Sequence, residues 1–231
     1  MTTTRRGSNS NKGPRGNSSR GPSLCPTLFH ESELHARGIR PVAGVDESGR
    51  GPLAGPVVAA AVILPDGFSL DGLDDSKKLN HQQRESLYVR LTEDVSVCFF
   101  VAEASSEEIG QLNILRATHL AMARSLTGLH ESGHQCSHAL VDGLPVKGLP
   151  VAHTALVGGD GISLSIAAAS ILAKVTRDRI MDKLDRDFPE YGFSRHRGYA
   201  TADHLATLRE HGPCQHHRRG FSPVDQPTFG F

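Results

Sequence analysis

Three short apolar runs of this chain each end in acids. The run at 42–45 leads into Asp46 and Glu47, the run at 139–141 into Asp142, and the run at 154–157 into Gly158, Gly159 and Asp160. Runs this short, with turn residues behind them, read as β-strands rather than helices. Ligands of open α/β sheets gather beyond the carboxyl ends of the strands. If the three strands are neighbours, four carboxylates converge on one edge. Any one acid at a strand end is usually a turn or cap residue; the coincidence of three such ends is what points to a site.

The remaining pattern supports a sheet flanked by helices. Strands are expected at 57–64, closed by Pro65, Asp66 and Gly67, and at 95–102. The strands at 42–45, 57–64 and 95–102 form an antiparallel meander. Apolar residues at helical spacing predict helices over 113–126, 164–188 and 202–210, the second stopping before Pro189. Strands, helix, strands, helix is a mixed α/β order. Residues 28–225 read as one catalytic domain, with a small helical appendage from Tyr191 onward. Residues 1–27, built from Thr, Ser, Asn, Gly, Pro and Arg, read as a disordered basic tail, and 226–231 as a flexible C-terminal tail.

Charge at first argues against a polyanionic partner, because 25 Lys and Arg balance 25 Asp and Glu. The balance is uneven along the chain. Residues 1–27 carry +5, residues 28–191 carry −7, and residues 192–231 carry +2 with five histidines. Basic ends around an acidic body fit phosphate contacts as well as solvated surface. No apolar run reaches the ~18–20 residues of a membrane span. Cys25, Cys98, Cys136 and Cys214 are widely spaced, without C-x-x-C, and no secretory signal precedes them. Reduced thiols and a cytoplasmic location follow. Cys214 with His211, His216 and His217 lacks the second ligand pair of a zinc finger.

Clustered carboxylates repel one another unless protonated or held by a cation. An all-oxygen set without histidine suits Mg²⁺ or Mn²⁺ better than Zn²⁺. Two such ions about 3.5–4 Å apart activate water and stabilise the leaving oxygen of a phosphodiester. Immediately after the first acids come Gly49, Arg50 and Gly51, a loop whose backbone can approach sugar or phosphate oxygens closely.

These residues belong to longer motifs. D-E-S-G-R-G-P-L-A-G-P-V-V-A-A-A-V-I-L at 46–64 closely resembles the signature of bacterial ribonuclease HII. D-D-S-K-K-L (74–79), V-D-G (141–143), the G-D-G-I-S-L-S-I-A-A-A-S stretch from 159, Y-G-F-S-R-H-R-G-Y-A-T-A-D-H-L (191–205) and H-G-P-C-Q-H-H-R-R-G-F-S-P-V (211–224) follow in the same order. The resemblance runs from about residue 40 to 225.

The resemblance implies a ribonuclease H-like fold, a five-stranded mixed sheet flanked by helices. It implies a metal-dependent endonuclease that hydrolyses the RNA strand of RNA–DNA hybrids. The same activity nicks DNA 5′ to an embedded ribonucleotide, leaving 5′-phosphate and 3′-hydroxyl ends. Asp46, Glu47, Asp142 and Asp160 match the catalytic and metal-binding acids. Gly49, Arg50 and Gly51 match the reader of the ribose 2′-hydroxyl, and Tyr199 the tyrosine that stacks on the sugar at the RNA–DNA junction. Lys77, with Lys78, Arg195, Arg197, Arg218 and Arg219, is a candidate phosphate contact. The cofactors implied are two divalent ions, Mn²⁺ or Mg²⁺. The partners are RNA–DNA hybrid and ribonucleotide-containing DNA, handled by a monomer. Gly158, Ile162, Leu144 and Gly220 depart from common family residues at positions that bear on affinity rather than on the reaction.

Other readings are a catalytically silent hybrid-binding protein, a two-metal resolvase or integrase, a histidine-pair ribonuclease and the sister family ribonuclease HIII. Four retained acids argue against the first, and the Gly-Arg-Gly loop with Tyr199 against the second. No histidine stands in the acid motifs, which disfavours the third, and Asp46 is a Glu in the fourth. Gln226 followed by Phe229 and Phe231 loosely resembles peptides that dock on sliding clamps.

Overall fold

In the computed structural model of the chain, residues 25–225 are described. The N-terminal residues 1–24 and the 226–231 segment with its clamp-like peptide lie outside them. A single five-stranded sheet has the order β3-β2-β1-β4-β5. Its strands are β1 (Val42–Ser48), β2 (Val57–Ile63), β3 (Cys98–Ala104), β4 (His138–Asp142) and β5 (His153–Leu156). β1, β2 and β3 form the expected antiparallel meander, and β4 and β5 run parallel to β1. The three acid-bearing strands are therefore adjacent and point the same way.

The interior strand β2 reads V-V-A-A-A-V-I because both its faces are covered. Val57, Ala59 and Ala61 pack with Ala117, Ala121, Met122 and Leu126 of α4 (Ile114–Glu131). Val58, Ala60 and Val62 pack with Ala167, Ala168, Ile171 and Leu172 of α5 (Leu164–Asp187). Small residues on α5 bring it close to the sheet. A Cβ at Gly44 of β1 would collide with the backbone of Ser165 and Ile166, so only glycine admits the helix at this depth.

Three helices have no counterpart in the sequence reading, α1 (Phe29–Ala36), α2 (His81–Glu93) and α3 (Ser106–Leu112), while the short α6 (Phe193–His196) opens the helical appendage expected from Tyr191 onward. In α2 only Leu87 and Leu91 are buried, so its apolar stripe is too narrow to read by period. Its start is written instead in a capping box, Asn80 with Gln83, and α3 carries another, Ser105 with Glu108. β3 begins at Cys98 and not at 95. Asp94 accepts from the Ser96 amide and hydroxyl in a turn that leaves Val95 in solvent. α4 continues past 126 to Glu131, and α7 spans Ala202–His211.

The body also begins before residue 28. Thr27 pairs with Ser163, its amide donating to the Ile162 carbonyl and its carbonyl accepting from Leu164. The end of the tail assigned from composition is thus an ordered edge. The C-terminal appendage is joined to the core: Tyr191 and Phe193 pack on Met181 and Leu184 of α5 and on Ala54. Ala54 pairs with His217 as an antiparallel bridge. Among the described residues no helix is long and apolar enough to cross a membrane.

Candidate active site

The parallel run β1-β4-β5 delivers the acids to one sheet edge. Asp46 sits near the end of β1, Asp142 ends β4, and Asp160 lies in a 3₁₀ turn, Gly159–Gly161, just beyond β5. One carboxylate oxygen from each of Asp46, Asp142 and Asp160 lies within 4.8 Å of the other two. Strand alternation turns the adjacent Asp46 and Glu47 to opposite faces. Asp46 faces α5, on the side of the sheet where its cross-strand partner on β2, Ala60, packs. Glu47 faces the α4 side, outside this triad, and accepts from Arg50 Nη1 at 3.3 Å.

Each acid has a local donor that fixes its orientation. The Glu47 amide donates to Asp46 Oδ1 at 2.7 Å, and the Gly159 amide donates to Asp142 Oδ1 at 2.7 Å. Lys77 Nζ donates to Asp160 Oδ2 at 2.8 Å. Lys77 reaches that point because Ser76 Oγ and Ser170 Oγ bond at 2.7 Å and anchor its segment on α5. Lys78 is turned the other way, toward Asp74.

Burial dominates the electrostatics. It raises the Asp46 carboxyl well above its ordinary value, with further upward pressure from the Glu47 and Asp142 charges. Burial also raises Glu47, opposed by Arg50, and Asp142, where the Asp160 charge adds to it. Three oxygen ligands from desolvated carboxylates make a donor set for a hard divalent cation, which would remove the repulsion that lifts these values.

Beside the acids, the loop 49–56 is shaped from below by two buried arginines. Arg218 is fully buried and donates from all three guanidinium nitrogens to the carbonyls of Gly49, Arg50, Pro52, Gly55 and Pro56. Arg177, also fully buried, donates to the carbonyls of Pro56, Ala54 and Arg197. Gly49 has φ of +97°, and a Cβ there would strike the Arg177 side chain. Gly51 is different: a Cβ there would meet only Tyr199 Cε1, at 3.5 Å. The Tyr199 ring, half exposed, thus stands over the exposed Gly51.

Tyr199 is held by imidazoles. The Cys214 amide donates to His217 Nδ1 at 3.0 Å, His217 Nε2 donates to His204 Nε2 at 3.0 Å, and His204 Nδ1 donates to the Tyr199 carbonyl at 2.9 Å. The direction follows from the amide and carbonyl at the two ends, which leaves both rings neutral. His196 stacks on His204 with ring centroids 4.2 Å apart. The histidines of this region are therefore packing and positioning groups. The described residues contain no metal-ligand cluster besides the Asp triad.

Of the proposed phosphate contacts, Arg218 is withdrawn from solvent altogether. Arg197 pairs with Asp182 and donates to the Asp178 carbonyl. Arg195 and Arg219 remain exposed. Sequence reasoning missed the structural use of Arg177 and took Arg218 for a phosphate contact; nothing local in the sequence marks guanidinium groups whose carbonyl partners lie mostly more than 100 residues away.

A family model described as ribonuclease HII matches residues 43–224. The chain belongs to the ribonuclease HII family. A ribonuclease HII of Geobacillus thermodenitrificans is 52% identical over 198 residues, covering 85% of this chain and 74% of the relative. One from Burkholderia thailandensis is 54% identical over 183 residues, covering 79% and 84%. Among solved structures, the ribonuclease HII of the Archaeoglobus fulgidus PCNA complex superimposes with a TM-score of 0.63 at 27% identity, over 78% of this chain and 94% of that one. Ribonuclease H2 from Pyrococcus horikoshii gives 0.61 at 26% identity, over 79% and 94%. The ribonuclease H-like fold and the metal-dependent endonuclease activity expected from the motifs are those of the ribonuclease HII family.

Proposed function

We propose that Asp46, Glu47, Asp142 and Asp160 are the catalytic and metal-binding acids of this ribonuclease HII. The observation that carries this is the convergence of three carboxylates, two buried and one partly buried, from the ends of β1 and β4 and the turn after β5. In this reading Asp46, Asp142 and Asp160 hold divalent cations, Mn²⁺ or Mg²⁺. Glu47, on the far side of β1, contributes from the groove shared with α4. When bound, the cations supply positive charge for activating water and for stabilising the departing 3′-oxygen.

The chain's own groups set the geometry around that chemistry. The amides of Glu47 and Gly159 keep Asp46 and Asp142 aimed at one point. Lys77 balances the charge of Asp160 and lies where a phosphate oxygen would approach. The backbone at Gly49, Arg50 and Gly51 faces the ribose, and Tyr199 stacks on the sugar at the junction. The 2′-hydroxyl serves recognition and not attack, which directs incision to the 5′ side of a ribonucleotide in DNA and to the RNA strand of a hybrid. Lys77 then serves as a substrate contact through the phosphate it faces once Asp160 binds metal.

The enzyme acts as a monomer in the cytoplasm, with residues 28–225 as its catalytic domain. Because the Archaeoglobus relative was solved with PCNA, a sliding clamp is the partner to try on residues 226–231; their deletion should weaken clamp binding and leave incision intact.

The test of the site is a DNA duplex carrying one ribonucleotide. Incision on its 5′ side should require Mn²⁺ or Mg²⁺ and vanish with EDTA, Asp46→Asn or Asp142→Asn. Tight binding without incision by the native protein would point to a silent binder, and equal cutting of all-DNA duplex would sink the 2′-hydroxyl reading.

A further inference from the structure

We infer that Arg218 is a positioning residue for ribonucleotide recognition: its guanidinium is the template on which the Gly49–Arg50–Gly51 backbone is formed. This rests on the reading that this backbone contacts the ribose.

A guanidinium has five N–H donors in a rigid planar fork. In Arg218 the five bonds go to five different carbonyls of one loop. Nε donates to Gly55 at 2.8 Å, and Nη1 to Arg50 at 3.0 Å and Pro52 at 2.8 Å. Nη2 donates to Gly49 at 2.6 Å and Pro56 at 3.0 Å. A loop of eight residues is thus wrapped around one planar group. The Arg218 amide also donates to the Leu53 carbonyl, so the strand-like segment at 216–218 carries the loop on main chain and side chain together.

The partners exclude an ordinary ion pair. Among the described residues no carboxylate lies within 4.0 Å of Arg218 or of the second buried guanidinium, Arg177. Burying a cation without an anion is costly, and burial lowers the Arg218 pKa to about 9. Packing alone would be served by an apolar side chain of similar volume. What an apolar group cannot do is turn five carbonyls inward. With the Gly49 and Arg50 carbonyls directed to the guanidinium, the backbone that follows the Asp46–Glu47 pair is held in one conformation. The two buried positive charges below it also favour an anionic substrate above.

The experiment compares Arg218→Ala, Arg218→Lys and Gly51→Ala on duplex with one ribonucleotide, with thermal melts alongside. Arg218→Ala should cut about 100-fold more slowly, the scale of a misplaced contact, with kcat affected more than KM. Millimolar guanidinium chloride should restore at least part of that rate, whereas equal urea or ammonium chloride should not. A side chain that only supports the fold would gain nothing from guanidinium. Arg218→Lys keeps the charge and stem but not the fork; it should fold, cut slowly, and resist rescue. If Arg218→Ala does not fold, Arg218→Lys decides: a folded variant cutting at the native rate overturns the proposal. If Gly51→Ala loses cleavage while a folded Arg218 variant keeps it, the proposal fails and the ribose reading stands. If both cut normally, the ribose reading fails and takes the proposal with it.

Discussion

Lys77 Nζ lies 2.8 Å from Asp160 Oδ2, so one carboxylate of the converging triad is matched by the chain's own cation. Partial burial opposes the Lys77 charge, but the Asp160 hydrogen bond and the surrounding carboxylates hold it firmly protonated, above the ordinary lysine range. The ammonium competes with an incoming metal for Asp160. Lys77→Met should therefore lower the Mn²⁺ concentration needed for half-maximal thermal stabilisation severalfold, while slowing cleavage through loss of the phosphate contact. Unchanged Mn²⁺ demand would show that Lys77 does not neutralise Asp160.

Asp46→Asn should abolish incision and yet stabilise the metal-free protein. The Asp46 pKa is raised in the fold by burial, so its ionisation opposes folding increasingly as pH rises above the unfolded carboxyl value, near 4. Asn carries no ionisable proton and escapes this opposition. Melts in EDTA should show the variant ahead of the native protein at pH 8, with the gap closing toward pH 4. Mn²⁺ should raise the native melting temperature at pH 8 and not that of Asp46→Asn to the same extent.

Gly49 and Gly51 should behave oppositely when changed to alanine. At Gly49 the left-handed backbone and the Arg177 contact make the substitution destabilising by about 1–3 kcal/mol. At Gly51 the added methyl finds ordinary contact distance to Tyr199, so chemical denaturation should show stability within about 0.5 kcal/mol of native. Any loss of incision in Gly51→Ala then comes from the substrate side.

Tyr199→Phe should keep most of the incision rate, since stacking needs the ring and not the hydroxyl. Tyr199→Ala should lose about tenfold or more, on the scale of the ~1–3 kcal/mol that a base stacked on an aromatic ring contributes. Equal rates for all three proteins would remove Tyr199 from the substrate contacts.

The imidazole chain that holds Tyr199 makes stability fall in acid. Burial, with His204 adding, depresses the His217 pKa to about 4. The unfolded chain therefore takes up a proton below about pH 6.5 that the folded chain refuses until near pH 4. His217 contributes its full stabilisation above pH 6.5 and loses it progressively toward pH 4, by roughly 3 kcal/mol over the whole interval. Urea titrations of native protein and His217→Gln across this range should show a shallower acid loss in the variant.

The acid edge was legible from chain order because strand ends are local: the runs 42–45, 139–141 and 154–157 lead into their acids in sequence, and in space Asp46 and Glu47 lie in the last three residues of β1, Asp142 ends β4 and Asp160 follows β5. The antiparallel meander and the long α5 were legible for the same reason, through period and composition. Glu47 shows where such reading stops. Its adjacency to Asp46 suggests a shared position, and strand alternation sends the two to opposite faces of the sheet. Arg218 shows a different limit. Five carbonyls 162 to 169 residues away leave no local trace, and a basic pair beside Gly220 reads as surface until the tertiary contacts are seen.

The anchoring of the loop 49–56 by Arg218 also sets a timetable. A ribosome makes the loop early and its guanidinium about 160 residues later, which at bacterial-scale rates of roughly 5–20 residues per second is a wait of about ten to thirty seconds. Throughout that interval the carbonyls of Gly49 to Pro56 lack this donor. A nascent nuclease growing beside messenger RNA thus completes its recognition surface only once Arg218 has joined the chain.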